Sequence, residues 1–166
     1  MVELKNIPKV KKDPFIDIIM PNYNKGQFLE ESVNSVISQK YKNWNLFIID
    51  NASNDNSKNV LDILKNLKHN INLIYLSKNK GVAFSRNLGL RLSKSEYISF
   101  LDSDDYWLPN KLEDQINFME NFNYNFTYTD YTPFISKNGV KIFKKAVIPR
   151  SSFNFDQFIN DTSIHT

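Results

Sequence analysis

Three carboxylates fall within four residues at Asp102, Asp104 and Asp105, directly after the largely apolar run Glu96 to Leu101. In an extended segment Asp102 and Asp104, at i and i+2, point to the same side. Two such anions about 4 Å apart repel by roughly 4 kcal/mol at an effective dielectric of 20. A hard divalent cation, Mg2+ or Mn2+, relieves that repulsion, and its remaining positions go to water and substrate phosphate. The pattern therefore implies a metal-bridged diphosphate, with a solvated acidic turn as the rival reading of the same residues.

Two further polar clusters also follow apolar runs: Pro21-Asn22-Tyr23-Asn24 after Phe15 to Met20, and Asp50-Asn51 after Trp44 to Ile49. Neither a Gly-x-Gly-x-x-Gly loop nor a Gly-Lys-Ser/Thr loop occurs, which demotes dinucleotide oxidoreductases and P-loop nucleotidases. His69 and His165 are isolated, with no Cys to join them, so a zinc site or a Ser-His-Asp arrangement has little support.

The elements that must carry these clusters follow from hydrophobic spacing. Phe15 to Met20 reads as a buried strand stopped by Pro21, and Asp17 fits it only near the strand's start, where water could reach the carboxylate. Leu29, Val33, Val36 and Ile37 mark a helix over Gln27 to Lys40, with Glu30 and Glu31 in its first turn. Trp44 to Ile49 reads as the second strand, Val60, Leu61, Leu64 and Leu67 as the second helix, and Ile71 to Leu76 as the third strand. A third helix opens at Gly81 and runs through Leu92, a fourth strand covers Glu96 to Leu101, and Leu112, Ile116 and Met119 are spaced for a fourth helix. Phe126 to Tyr131, Phe134-Ile135, an Asn138-Gly139 turn and Val140 to Val147 read as a hairpin, and Phe155 to Ile159 as the start of a helix. Strands separated by helices predict an α/β fold: a mostly parallel, Rossmann-like sheet with helices on both faces, plus the hairpin. Ligands of such sheets bind outside the carboxyl ends of the strands, so the three polar clusters share one rim.

The chain has 166 residues, room for one core, and 41% hydrophobic and 14% aromatic residues are enough to fill it. A net charge of +3 supplies no field for nucleic acid, and the absence of Cys removes disulfides, thiolate zinc and cysteine nucleophiles. No run approaches the roughly 20 apolar residues of a membrane span, and Met1 to Lys12 lacks the apolar core of a signal peptide. The reading is cytoplasmic, with at most peripheral contact between the lysines of residues 5 to 12 and the inner face of a plasma membrane.

Taken in order, Ile18-Ile19-Met20-Pro21-Asn22-Tyr23-Asn24, Ile48-Ile49-Asp50-Asn51-Ala52-Ser53-Asn54-Asp55, Asn79-Lys80-Gly81-Val82-Ala83-Phe84-Ser85-Arg86-Asn87 and Phe100-Leu101-Asp102-Ser103-Asp104-Asp105-Tyr106-Trp107-Leu108-Pro109 resemble family 2 glycosyltransferases of the GT-A fold. The resemblance spans about residues 15 to 115 and implies a site for a nucleotide-diphosphate sugar. By that likeness the segment Pro21 to Asn24 lines base and ribose, with Tyr23 against the base. Asp50 accepts from the pyrimidine ring, Arg86 lies near the nucleotide, and Asp102 and Ser103 face ribose and diphosphate. Asp104, with Asp102, holds Mn2+ or Mg2+. A carboxylate accepts from the ring N–H of uracil or thymine but not from the bare ring nitrogen of cytosine, which favours a uridine or thymidine donor over a cytidine one; a UDP-sugar is the expected donor, with a TDP-sugar as the alternative. Asn51 departs from the acidic pair of many relatives.

The implied reaction is a metal-dependent, inverting transfer of a hexose or N-acetylhexosamine to a saccharide or lipid-linked acceptor. Such a transfer needs a general base. Asp130, Asp156 and Asp161 qualify by residue type alone, so the base is expected beyond Thr166, and residues 1 to 166 read as the single donor-binding domain of a longer enzyme. The competing readings are a non-catalytic nucleotide-sugar-binding module and a sugar nucleotidyltransferase, which normally places a Gly-rich basic loop after strand one. Trp107 reads as packing rather than as a sugar platform.

Overall fold

The computed structural model describes residues 13–67, 70–137 and 140–148. Four strands, β1 (Ile16–Asn22), β2 (Trp44–Asp50), β3 (Ile71–Tyr75) and β4 (Tyr97–Phe100), form one parallel sheet in the order β3-β2-β1-β4. Helices α1 (Gly26–Ile37), α2 (Ser57–Leu64) and α3 (Val82–Leu92) connect successive strands, and α4 (Lys111–Phe122) follows β4. Two short antiparallel strands, β5 (Phe134–Lys137) and β6 (Val140–Phe143), form the expected C-terminal hairpin. Its Asn138-Gly139 turn, the 155–159 helix, His69, His165, Asp156, Asp161 and the lysine-rich lead lie outside the described residues.

Alternation along the strands decides which helix covers which face. Ile16, Ile18 and Met20 of β1 and Trp44, Leu46 and Ile48 of β2 join Leu29, Val33 and Val36 of α1, Leu61 and Leu64 of α2, and Leu112 and Ile116 of α4 in one buried cluster. Ile19 turns to the other face and meets α3, where a Cβ added to Gly89 would fall 2.5 Å from the Ile19 Cγ2. Helices therefore cover both faces. No helix among the described residues is long and apolar enough to cross a membrane.

Pro21 does not stop β1, which runs on to Asn22. Ile16 N donates to Asn43 O and Asn22 O accepts from Asn51 N, so the even residues bond toward β2. Phe15 O and Ile19 O accept from Tyr97 N and Leu101 N, so the odd residues bond toward β4. The Pro21 nitrogen thus faces the β4 side, beyond the last β4 pairing at Ile19–Phe100, where its missing N–H interrupts no ladder.

Asp17 does lie near the start of β1, but protein rather than water satisfies it. Its carboxylate accepts from Asn45 Nδ2 at 2.8 Å, Lys94 N at 2.8 Å, Ser95 N at 3.0 Å and Ser95 Oγ at 2.7 Å. Burial pushes its pKa up, but these donors outweigh burial and hold it below the ordinary value. The anion ties the α3–β4 connection to the sheet.

Glu30 and Glu31 lie past the first turn of α1, which holds no acidic residue. Asp55 supplies that charge from the β2–α2 loop. It accepts from Gly26 N at the start of α1 and from Ser57 N at the start of α2, both at 2.9 Å, so one carboxylate serves two helix N-termini. Of the expected second helix, Leu67 falls in a 3-10 turn (Lys65–Leu67) and is exposed. Phe126 to Tyr131 forms no strand beyond a single bridge between Tyr131 and Val147.

Candidate functional site

Strand order reverses at β1: the chain adds β2 and β3 on one side, then crosses to place β4 on the other. A crevice opens at the carboxyl ends of strands flanking such a reversal. The cleft found there measures about 480 Å³, within the range of small-molecule sites. Pro21, Asn22, Tyr23 and Lys25 line it from the β1 end and Asp102, Ser103 and Asp104 from the β4 end, with Asn51, Asn79, Gly81, Val82 and Ser85 completing the wall.

The acidic segment is not extended. It folds as a turn in which Asp105 N donates to Asp102 O at 3.0 Å, and its two cleft carboxylates have separate cationic partners. Arg86 Nη2 stands 2.7 Å from Asp102 Oδ1, and Lys25 Nζ 2.7 Å from Asp104 Oδ2. The repulsion expected from i, i+2 geometry is thus relieved within the protein. Burial first, then the charges of Asp104 and Asp102, push the Asp105 carboxyl above its ordinary value.

Helix α1 holds this turn through a polar stripe. Ser32 Oγ donates to Asp105 O at 2.6 Å, and Ser35 Oγ accepts from Trp107 N at 3.1 Å. Gln39, two residues beyond α1, donates to Leu108 O at 2.8 Å and accepts from Leu112 N at 3.1 Å. All three side chains are buried. Trp107 packs against the core, with Lys111 Nζ 3.7 Å from its ring centroid.

Beneath the β1 end, Asp50 and Ser53 form a second network. Asp50 Oδ1 accepts from Asn22 Nδ2 at 2.7 Å and Ser53 Oγ at 2.6 Å, and Asp50 Oδ2 from Ser53 N at 3.1 Å. Asn24, at φ 53°, donates from its backbone N to Ser53 Oγ at 2.9 Å and accepts Asn54 N on its own Oδ1 at 2.8 Å. On the far wall, Asn51 donates to Asn79 Oδ1 and accepts from Lys80 N, while Gly81 N also reaches Asn79 Oδ1, each at 2.8 Å. Gly81 sits at φ 86° and ψ 159°, a region open essentially to glycine alone.

Of the residues singled out by sequence, Pro21, Tyr23, Asp102, Ser103 and Asp104 line the cleft. Asn24, Asp50 and Arg86 do not; each bonds to residues that do, or to the loop that carries them. Asp130 is exposed and is not among the lining residues. Sequence reading placed Asn22 in the segment Pro21 to Asn24 that lines base and ribose, and gave no individual role to Lys25, Asn79, Gly81, Val82 or Ser85. In so Asn-rich a chain an asparagine at a strand end carries no signal of its own, and Gly81 offered the one cue, as one of just 4 glycines.

The fold is α/β with its cleft at the strand-order reversal, and its likeness to solved structures puts it in the GT-A class. Within that class, the family description "Glycosyl transferase family 2" matches residues 17–164, and the chain belongs to that family. TuaG of Bacillus subtilis (strain 168), provisionally named a teichuronic acid biosynthesis glycosyltransferase, is 32% identical over 91% of this chain and 59% of its own length. WfgD of Escherichia coli, named a UDP-Glc:α-D-GlcNAc-diphosphoundecaprenol β-1,3-glucosyltransferase, is 40% identical over 72% of this chain and 46% of its own. The crystal structure of Staphylococcus aureus TarS 1–349 in complex with UDP superposes with a TM-score of 0.61 at 26% identity, over 66% of this chain and 33% of that one; TarS 1–349 is also known in complex with UDP-GlcNAc. The chain spans about half the length of the curated relatives it matches.

Proposed function

We propose that residues 1 to 166 are the donor-binding domain of an inverting glycosyltransferase that takes a hexose or N-acetylhexosamine from a UDP-sugar. The observation that carries this reading is the cleft at the strand-order reversal, with a half-exposed tyrosine on one lip and an acidic turn on the other. The base lies against Tyr23 and Pro21 over the Asn22–Asp50 pair, ribose and diphosphate run toward Asp102 and Ser103, and Lys25 offers its charge to the phosphates. UDP and UDP-GlcNAc in the TarS complexes support the nucleotide, and the diphosphoundecaprenol in the name of WfgD supports a lipid-linked or glycan acceptor.

Among the described residues no group of three or more His, Cys, Asp or Glu gathers to hold a metal, so these residues offer no complete cage. The donor set still fits Mn2+ or Mg2+, because such ions are held by one or two carboxylates plus substrate phosphates. Asp104, with Asp102, would hold the ion, and Lys25 would have to release Asp104 as it enters. When bound, the ion supplies Lewis-acid stabilisation of charge on the departing nucleoside diphosphate. The general base and most of the acceptor site are proposed to lie in a further part of the enzyme, and peripheral contact with an anionic membrane surface would come from the lysines of residues 5 to 12.

Calorimetric titration of UDP, TDP, GDP and CDP, each with and without Mn2+, tests the reading. UDP binding strengthened by Mn2+ and stronger than CDP binding is the expected result. Equal affinity for all four, or no response to the metal, would overturn it.

A further inference from the structure

We propose that Lys141 is a positioning residue for the donor cleft: its ammonium pins the acidic turn to the β5–β6 hairpin and so holds Asp102 and Asp104 ready for a divalent ion. The inference rests on the donor-site reading above and extends it to a part of the chain outside the cleft.

The hairpin is a sheet of its own and, among the described residues, pairs with no strand of the parallel sheet. Its register sets Phe134 opposite Phe143 and Ser136 opposite Lys141. Phe134, Ser136, Lys141 and Phe143 therefore share one face, and Ile135, Lys137, Val140 and Ile142 the other. The first face meets the acidic turn, since the Phe134 and Tyr106 ring centroids are 5.8 Å apart. Hydrophobic patterning alone would turn Ile135, Val140 and Ile142 inward, yet each of them is at least half exposed. Lys141 is turned in instead, with its side chain 24% exposed. A charge in that place has to be matched.

The match comes from three segments. Lys141 Nζ pairs with the Glu31 carboxylate on α1 and stands 3.9 Å from the Tyr106 ring centroid and 4.8 Å from that of Phe134. Aromatic faces are negative, so two rings and a carboxylate hold one cation. Glu31, too far along α1 to serve its N-terminus, has its use here.

Tyr106 directly follows Asp105. Ser32 and Ser35 grip the backbone on either side of it, at Asp105 O and Trp107 N, while Lys141 and Phe134 hold its ring. Helix α1 thus fixes the backbone of the turn, and the hairpin fixes the side chain that projects from it. Freed from the hairpin, the turn would be gripped from α1 alone, and its carboxylates would be spread over more positions than a metal ion accepts. Cation–π contacts of this kind are worth a factor of about 2 to 30 in an equilibrium constant.

The experiment titrates UDP with and without Mn2+ on the native chain, on Lys141→Met, which keeps an apolar stem, and on Lys141→Arg, which keeps the charge. In Lys141→Met the strengthening of UDP binding by Mn2+ falls about three-fold or more, while the metal-free affinity changes by less than about two-fold. Lys141→Arg restores the native strengthening. Should Lys141→Met fail to fold, Glu31→Gln, on the half-exposed partner, decides by the same comparison. Undiminished strengthening, equal losses with and without Mn2+, or an arginine variant as impaired as the methionine one overturns the proposal. A native chain whose UDP affinity ignores Mn2+ defeats the metal reading and this inference together, whereas a native response that Lys141→Met retains defeats this inference alone.

Discussion

The two cleft aspartates look alike in sequence and differ in place. Asp102 is bound by the Arg86 guanidinium, a planar fork that matches a carboxylate, whereas Asp104 is bound by Lys25, a point charge on a flexible stem. The Lys25 and Asp104 side chains are 42% and 38% exposed, and ion pairs so placed contribute about 0–1 kcal/mol. Lys25 is thus the cation that an incoming divalent ion would displace at least cost. Replacing Asp104 by Ala should reduce UDP affinity in Mn2+ to its metal-free value while the melting temperature moves by no more than a few degrees. Calorimetry alongside thermal unfolding checks both halves, and metal-linked affinity that survives the substitution would remove Asp104 from the metal's ligands.

At the scale of elements, the acidic turn keeps its shape because α1 and the residues after it reach across to it. Gln39 bonds Leu108 O and Leu112 N at once; Lys111 N also donates to Leu108 O, so Gln39→Leu leaves the buried Leu112 N unpaired at about 1–3 kcal/mol. The expected result is a loss of about 1–3 kcal/mol in urea unfolding, by the same principle, together with weaker UDP binding. Stability like that of the native chain would show that water replaces the amide. This stripe also marks where sequence stops being informative. The four parallel strands and their helices were legible because apolar runs and helical spacing report burial directly, and the acidic turn announced itself by charge. Ser32, Ser35 and Gln39 did not, since a polar residue in a helical pattern reads as solvent face until its partner 70 residues away is known. Asp17 and Asp55 escaped for the same reason: each is explained by donors from distant segments. The Asp102 and Asp104 geometry was misjudged because an extended segment was assumed where the chain turns, and their counter-charges lie elsewhere, Lys25 just before α1 and Arg86 on α3.

For the whole molecule, one group ties folding to pH between neutral and alkaline conditions. Lys111, at the start of α4, places its ammonium over Trp107 and 2.9 Å from Ser99 Oγ on β4, joining helix, acidic-turn segment and edge strand. Burial pushes its pKa from 10.5 down to about 7. Between those values the unfolded chain binds a proton that the folded chain does not, so stability rises with pH across that window and is lost as pH falls toward 7. Above about 10 the sign reverses. Burial, with the neighbouring carboxylates, raises Tyr41 to about 12, and the hydrogen bond to Glu120, with burial, raises Tyr97 to about 12, so the unfolded chain sheds protons first. The urea midpoint of the native chain should therefore climb from about pH 7 toward pH 10 and then fall. Lys111→Met keeps the apolar stem over Trp107 and removes the charge, so its midpoint should be higher near pH 7 and level between pH 7 and 10. Parallel slopes for the two proteins would mean that attraction of the ammonium to the indole face offsets burial and that Lys111 stays charged in the folded state.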